Sequence, residues 1–202
     1  FCCVIDDWKM KITHVIRGED HLPNTLRQLM IYQALDAKPP IFAHASLLVG
    51  EDRQKLSKRH GVTSLAAFRQ MSFLPQTMIN YLVLLGWSHP EERVVMQMDE
   101  LETIFSLERM NKAPALFDLA KMRWMNGQQL KLLTHEEQLK VVAGWIESDH
   151  PFHAQKHEWQ VSFTELFLDK IELQEDLPAH LELIFSTNPQ APNEEHAEME
   201  EL

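Results

Sequence analysis

The stretch EDRQKLSKRHG, residues 51–61, places Lys55, Lys58, Arg59 and His60 close together, with Ser57 among them. The chain around it is acidic, with a formal net charge of −11. Lysine ammonium groups are mobile point charges that can neutralise phosphate oxygens as negative charge builds on a leaving group. The Ser57 hydroxyl adds a donor, and Gly50 and Gly61 can absorb the backbone rotation needed to close the run over a ligand. The chemistry on offer is a grip on a polyphosphate. The same residues in an ordinary loop would be a solvated charge run, and the pentapeptide KLSKR alone leaves both readings open.

Composition narrows the field. A length of 202 residues suits one large domain or two small ones, and a hydrophobic content of 45% allows real cores. The negative charge argues against a protein that coats nucleic acid indiscriminately, because counterion release needs many cations. Cys2 and Cys3 are adjacent, so neither a disulfide framework nor a CxxC metal site is expected, and a reducing compartment is the default. The eleven histidines fall in no HExxH or Cys/His pattern, so no metal site is expected. No run is apolar enough to suggest a membrane span or a signal peptide. The opening FCCVI reads as a strand already under way, so the expectation is an internal piece of a longer chain.

The elements that must position the basic run follow from periodicity. FCCVIDD and ITHVIRG carry β-branched residues and are expected as buried strands. A helix is expected from Asn24, capped by Asn24 or Thr25, with Leu26, Leu29, Met30 and Ala34 on its inner face. KPP breaks it, and IFAHASLLV is a third strand ending at Gly50. Strand, helix and strand suggest the last part of an α/β sheet. Beyond Gly61 the chain turns helical. Ser64 caps a short helix containing Leu65 and Phe68, and Pro75 opens another, with Met78, Leu82 and Leu85 aligned and Gly86 as its stop. Asp99 and Asp118 are expected N-caps, and Gly127 is expected to close DLAKMRWMNG. Thr134 to Glu137 forms a capping box ahead of a helix that buries Leu139, Val142 and Ile146. SFTELFLDKI is a weaker helix, and the acidic run from Asn193 is poor in core residues. The fold class is therefore α/β followed by mainly α.

Several ordered blocks carry a resemblance to a known family. KLSKR resembles the KMSKS signature of class I aminoacyl-tRNA synthetases. THVIRGEDHLPNTLRQLMIYQAL, FAHASLLVGEDRQKLSKRHG and FLPQTMINYLVLLGWSH are similar to bacterial-type glutamyl-tRNA synthetases, and NKAPALFDLAKMRWMNGQ extends the match. The likeness is strong from Phe1 to about Leu130 and looser beyond. It implies the C-terminal part of a class I Rossmann-like catalytic domain with its KMSKS-like loop over 1–60, a helical stem-contact region over 61–134, and the start of a helical anticodon-binding domain over 135–202. It also implies ATP with Mg²⁺, L-glutamate and tRNA(Glu) as ligands, a cytoplasmic setting and a monomeric full-length form.

Roles carry over only where residues match. Arg17 resembles the arginine that holds the substrate's side-chain carboxylate, a task that suits a planar guanidinium able to make two parallel charge-assisted bonds. An internal ion pair with Glu19 or Asp20 is its alternative role. Asp20 matches an ATP-contacting position, and Leu48 the residue whose backbone recognises adenine. Lys58 resembles the second lysine of the signature, with Lys55, Leu56, Ser57 and Arg59 also at the ATP site, and Lys55 and Lys58 are the expected catalytic pair. Lys112, Lys121 and Arg123 are candidates for tRNA phosphate contacts or for ordinary helix-surface charges. Trp145, Trp159 and Phe163 could stack on bases but are expected in a core. The family's HIGH tetrapeptide, its residues for the α-amino group and any zinc-binding cysteines would lie upstream of Phe1. The rival readings are a non-catalytic tRNA- or protein-binding fragment and a glutaminyl-tRNA synthetase.

Overall fold

A computed structural model describes residues 1–50, 52–56 and 64–186. The chain forms two compact units. The first comprises Phe1–Thr63 and Pro75–Met122; the second comprises Ser64–Leu74 and Arg123–Leu202. The division falls inside one continuous helix, α6 (Leu119–Lys131).

The first unit opens with a helix where a strand was expected. All of FCCVIDD after Phe1 lies within α1 (Cys2–Lys9), which buries Val4 and is followed by Lys11 with a left-handed backbone, φ 58°. Adjacent valine and isoleucine suggested a strand, but β propensity is a weak preference that packing overrides. The expected strand in ITHVIRG is present as β1 (His14–Gly18). It pairs in parallel with β2 (Ile41–Ala45), from His14 opposite Ile41 to Gly18 opposite Ala45. The crossover between these parallel strands contains α2 (Leu22–Ala34).

Two features of α2 differ from expectation. It starts at Leu22 with Pro23 in its first turn, so neither Asn24 nor Thr25 is the cap. Its buried positions are Thr25 and Tyr32, with Gln28 half-buried between them, while Leu26, Leu29 and Met30 are exposed. Both stripes have helical spacing. The one turned inward is polar because its side chains bond to groups on β1 and β2, as described below. IFAHASLLV also divides: β2 stops at Ala45, and β3 (Leu48–Val49) pairs in parallel with β4 (Ala115–Leu116).

The remaining helices of this unit are α4 (Pro75–Gly86) and α5 (Met98–Ile104). The bounds of α4 match the Pro75 and Gly86 signals. Its buried face, however, carries Thr77, Asn80, Tyr81 and Leu85, and Leu82 is exposed. Asn80 explains the polar choice. Its amide donates to the Val94 carbonyl at 3.0 Å and accepts from the Met96 N–H at 3.0 Å, satisfying a strandless segment that would otherwise bury bare backbone. Trp87, Met96 and Leu101 pack together beside it. Gln97, not Asp99, occupies the cap of α5, whereas the Asp118 carboxylate accepts from the Lys121 N–H at 2.9 Å and caps α6.

The second unit is helical. Ser64 caps α3 (Leu65–Gln70) through the Ala67 N–H, and the Thr134–Glu137 capping box opens α7 (His135–Trp145). Helices α8 (His157–Phe167) and α9 (Leu177–Phe185) complete it. Leu139, Val142 and Ile146 are buried in a core with Phe152, Phe163 and Phe167. Trp145 and Trp159 pack against that core, so these aromatics are structural. Gly127 does not end α6. A Cβ there would lie 3.2 Å from the Glu172 side chain and 3.5 Å from the Ile171 carbonyl, so the glycine permits a close approach in mid-helix. The acidic run from Asn193 lies outside the described residues.

Asn126, wholly buried in α6, accepts from the Leu74 N–H at 2.8 Å and donates to the Glu172 carbonyl at 2.6 Å. Asn126→Ala would leave both backbone groups without partners in a dry interior. Urea unfolding should register a loss of about 2–4 kcal/mol, and a loss below about 0.5 kcal/mol would show that the bolt is dispensable.

Candidate active site

Arg17 stands near the end of β1, opposite His44 in the parallel pair. Residues paired across adjacent strands project to the same face, and so does Phe42, two positions before His44. The guanidinium lies over the Phe42 ring, 5.3 Å from its centroid. Its Nη2 donates to Thr25 Oγ1 at 2.5 Å and to Gln28 Oε1 at 2.8 Å. Thr25 Oγ1 also meets His44 Nε2 at 2.8 Å. The buried Nε has no hydrogen-bond partner. Neither Glu19 nor Asp20 pairs with Arg17: Glu19 accepts from the Leu47 N–H at 3.2 Å, and Asp20 binds Lys55 at 2.9 Å. Among the described residues the arginine is thus held entirely by uncharged groups. A buried N–H donor without a partner costs free energy, so the described residues leave this guanidinium with unspent donor capacity as well as unneutralised charge.

The approach to the basic run is a tight turn. The Gly50 N–H bonds to the Gln54 carbonyl at 3.0 Å, and Arg53 takes a left-handed backbone with φ 58°. Val49 bridges Lys55 in antiparallel fashion, and the Leu56 N–H donates to the Leu48 carbonyl at 2.8 Å. Lys55 therefore leaves β3 in a defined direction, with its ammonium on Asp20. That contact holds the Asp20 carboxyl below the usual carboxylate range. Both side chains keep substantial exposure, so the pair is open to exchange with another anion. Ser57, Lys58 and Arg59 lie outside the described residues.

The three cations considered for tRNA fall into two groups. Lys112 and Lys121 line one cleft of about 330 Å³ with Tyr81, Asn111 and Pro114. Arg123 differs. Its Nε bonds to Glu172 at 2.8 Å, and its two terminal nitrogens bond to Glu175 and Asp176. Partial burial works against its charge, but the Glu175, Glu172 and Asp176 carboxylates outweigh that and raise its pKa. Three acids already pair with this guanidinium, so a tRNA phosphate would have to compete with them for Arg123. Among the described residues no group of three or more His, Cys, Asp or Glu side chains is arranged to hold a metal, and no helix is long and apolar enough to cross a membrane.

Sequence reasoning missed Thr25, Gln28, Phe42 and His44. A periodic signal existed for both pairs. Thr25, Gln28 and Tyr32 share one helical face, and Phe42 and His44 share one strand face, but a more hydrophobic stripe on α2 obscured the first.

The lowered Asp20 pKa has a direct consequence. A depressed carboxyl pKa means the pair is intact at neutral pH and is lost only as pH falls through that depressed value. Carboxyl-carbon NMR should find Asp20 titrating below the ordinary range, and Lys55→Met should move it back up. An Asp20 that titrates identically in both proteins would contradict the contact.

Comparisons with known proteins fit this arrangement. The sequence model of the family described as tRNA synthetases class I (E and Q), catalytic domain, matches residues 1–124. Glutamate–tRNA ligase 1 of Pseudothermotoga lettingae is 43% identical over 194 residues, covering 96% of this chain and 41% of that protein. The glutamate–tRNA ligase of Heliobacterium modesticaldum is 54% identical over 131 residues, covering 65% of this chain and 26% of its own length. Among solved structures, a glutamate tRNA ligase from Elizabethkingia meningosepticum in complex with its amino acid superposes with a TM-score of 0.83 at 29% identity. The match covers 98% of this chain and 43% of that one. The chain spans about two fifths of the length of the first of these relatives. With the matched family model covering more than half of its residues, the chain belongs to the class I tRNA synthetases of the E and Q type.

Proposed function

We propose that this chain supplies the carboxylate- and phosphate-contacting part of a glutamate–tRNA ligase. The observation that carries the reading is Arg17, a cation held by neutral partners with its buried Nε unpaired. An amino acid whose side chain ends in a carboxylate supplies the missing acceptors and charge. The relatives named glutamate–tRNA ligase and the solved neighbour in complex with its amino acid support the same ligand class.

In this reaction the α-carboxylate of glutamate attacks the α-phosphorus of ATP, pyrophosphate leaves, and the 2′-hydroxyl of the terminal adenosine of tRNA(Glu) then takes the glutamyl group from the adenylate, releasing AMP. Magnesium enters with the nucleotide. A carboxylate is already a nucleophile, so positioning and charge stabilisation carry most of the first step. Arg17 orients the amino acid by its far end. Lys55 exchanges Asp20 for phosphate oxygens, and Lys58, with Ser57 and Arg59, adds further contacts to the phosphates. Leu48 and Leu56 line the nucleotide side, with Asp20 as a further contact. Lys112 and Lys121, which share a cleft, are the phosphate contacts for tRNA. Residues 1–60 then serve catalysis, 61–134 the acceptor stem, and 135–202 the start of the anticodon-binding part. The complete enzyme works in the cytoplasm as a monomer.

The test is ATP–pyrophosphate exchange by the longer protein in the presence of tRNA. Exchange should depend on glutamate and not glutamine, and Lys58→Ala should lower it by about 10²–10³-fold, as for a lost transition-state donor. Wild-type rates in that variant would remove Lys58 from the mechanism. Equal exchange with glutamine would favour the glutaminyl branch, and no exchange at all would favour a non-catalytic binding module.

A further inference from the structure

The ligands of Arg17 have a property that its position alone does not require: all of them are neutral. We infer that Thr25, Gln28 and His44 are positioning residues that aim the Arg17 guanidinium without discharging it, and thereby set the preference for a side-chain carboxylate over its amide. The inference rests on the reading of this chain as part of a glutamate-activating enzyme.

The geometry is specific. Nη2 has two hydrogens, and both are directed, one to Thr25 Oγ1 and one to Gln28 Oε1. These acceptors lie three residues apart on the inward face of α2, while Phe42 closes one face of the guanidinium plane. Thr25 is itself constrained. Its oxygen accepts from Arg17, its own hydroxyl donates to the His21 carbonyl at 3.3 Å, and His44 Nε2 lies 2.8 Å from it on a third side. The β1–β2 register, Arg17 opposite His44, brings the imidazole to that spot.

An acid at any of these positions would hold the arginine at least as firmly, since charge-assisted bonds are stronger than neutral ones. It would also cancel the charge that a substrate carboxylate needs. A purely structural frame would gain from an acid; a frame that preserves the charge would not. Glu19 and Asp20, close by in sequence, are occupied by the Leu47 N–H and by Lys55.

The experiment uses the longer protein and measures ATP–pyrophosphate exchange with tRNA present, varying glutamate, glutamine and ATP separately. Gln28→Glu keeps size and hydrogen-bonding reach while adding one negative charge. It should raise the KM for glutamate by about tenfold or more, leave the KM for ATP within about twofold, and narrow the preference for glutamate over glutamine. Thr25→Val should raise the glutamate KM in the same selective way, and Thr25→Ser should restore it. If Thr25→Val fails to fold, Gln28→Glu and Thr25→Ser decide the matter. Glutamate KM and selectivity unchanged in Gln28→Glu would overturn the inference while leaving the functional reading intact. A wild-type protein with no glutamate-dependent exchange would overturn both.

Discussion

A guanidinium is a permanent charge that tolerates burial only with partners, and the choice of partner decides what it can do. This chain contains both outcomes. Arg123 is bonded to Glu172, Glu175 and Asp176, so its charge is consumed in fastening one part of the second unit to another. Arg17 is bonded to Thr25 and Gln28 and lies over Phe42, so it is fixed in place with its charge intact. The first arrangement builds structure. The second stores attraction for an anion that the described residues do not supply.

The βαβ unit makes the second arrangement possible. Parallel pairing places Arg17 beside His44, and the crossover helix between their strands delivers Thr25 and Gln28 to the same face. Ligands of open α/β sheets bind beyond the carboxyl ends of the strands, and Arg17 lies one residue from the end of β1. Just past that end, Asp20 reaches Lys55 at the base of the KLSKR run. The Arg17 guanidinium and the Asp20–Lys55 pair are thus joined by two residues of chain, Gly18 and Glu19. Polar side chains recur wherever irregular backbone must be buried. Asn80 and Asn126 serve that purpose, one in each unit.

What was legible in the sequence were features with local causes. Ser64, Pro75, Thr134 and Glu137 mark helix starts through bonds or dihedral restraints within four residues, and each marks an observed start. Arg17, Asp20 and Lys55 were singled out from residue type and motif, and two of them, Asp20 and Lys55, form one ion pair. What was not legible depended on distant partners. The period of α2 revealed a helix but not which stripe faces inward, because the answer lies in the strands it crosses. The three acids around Arg123 come some fifty residues later and leave no trace near it. FCCVIDD was misread because neighbouring β-branched residues suit a strand locally, whereas only Val4 needed burial.

The central claim is that Arg17 awaits a substrate carboxylate, and a structure of the longer protein with L-glutamate bound tests it most directly. The side-chain carboxylate should lie within hydrogen-bond distance of the Arg17 guanidinium, with Thr25 and Gln28 still on Nη2. A glutamate bound elsewhere, with Arg17 paired to an acid of its own chain, would contradict it.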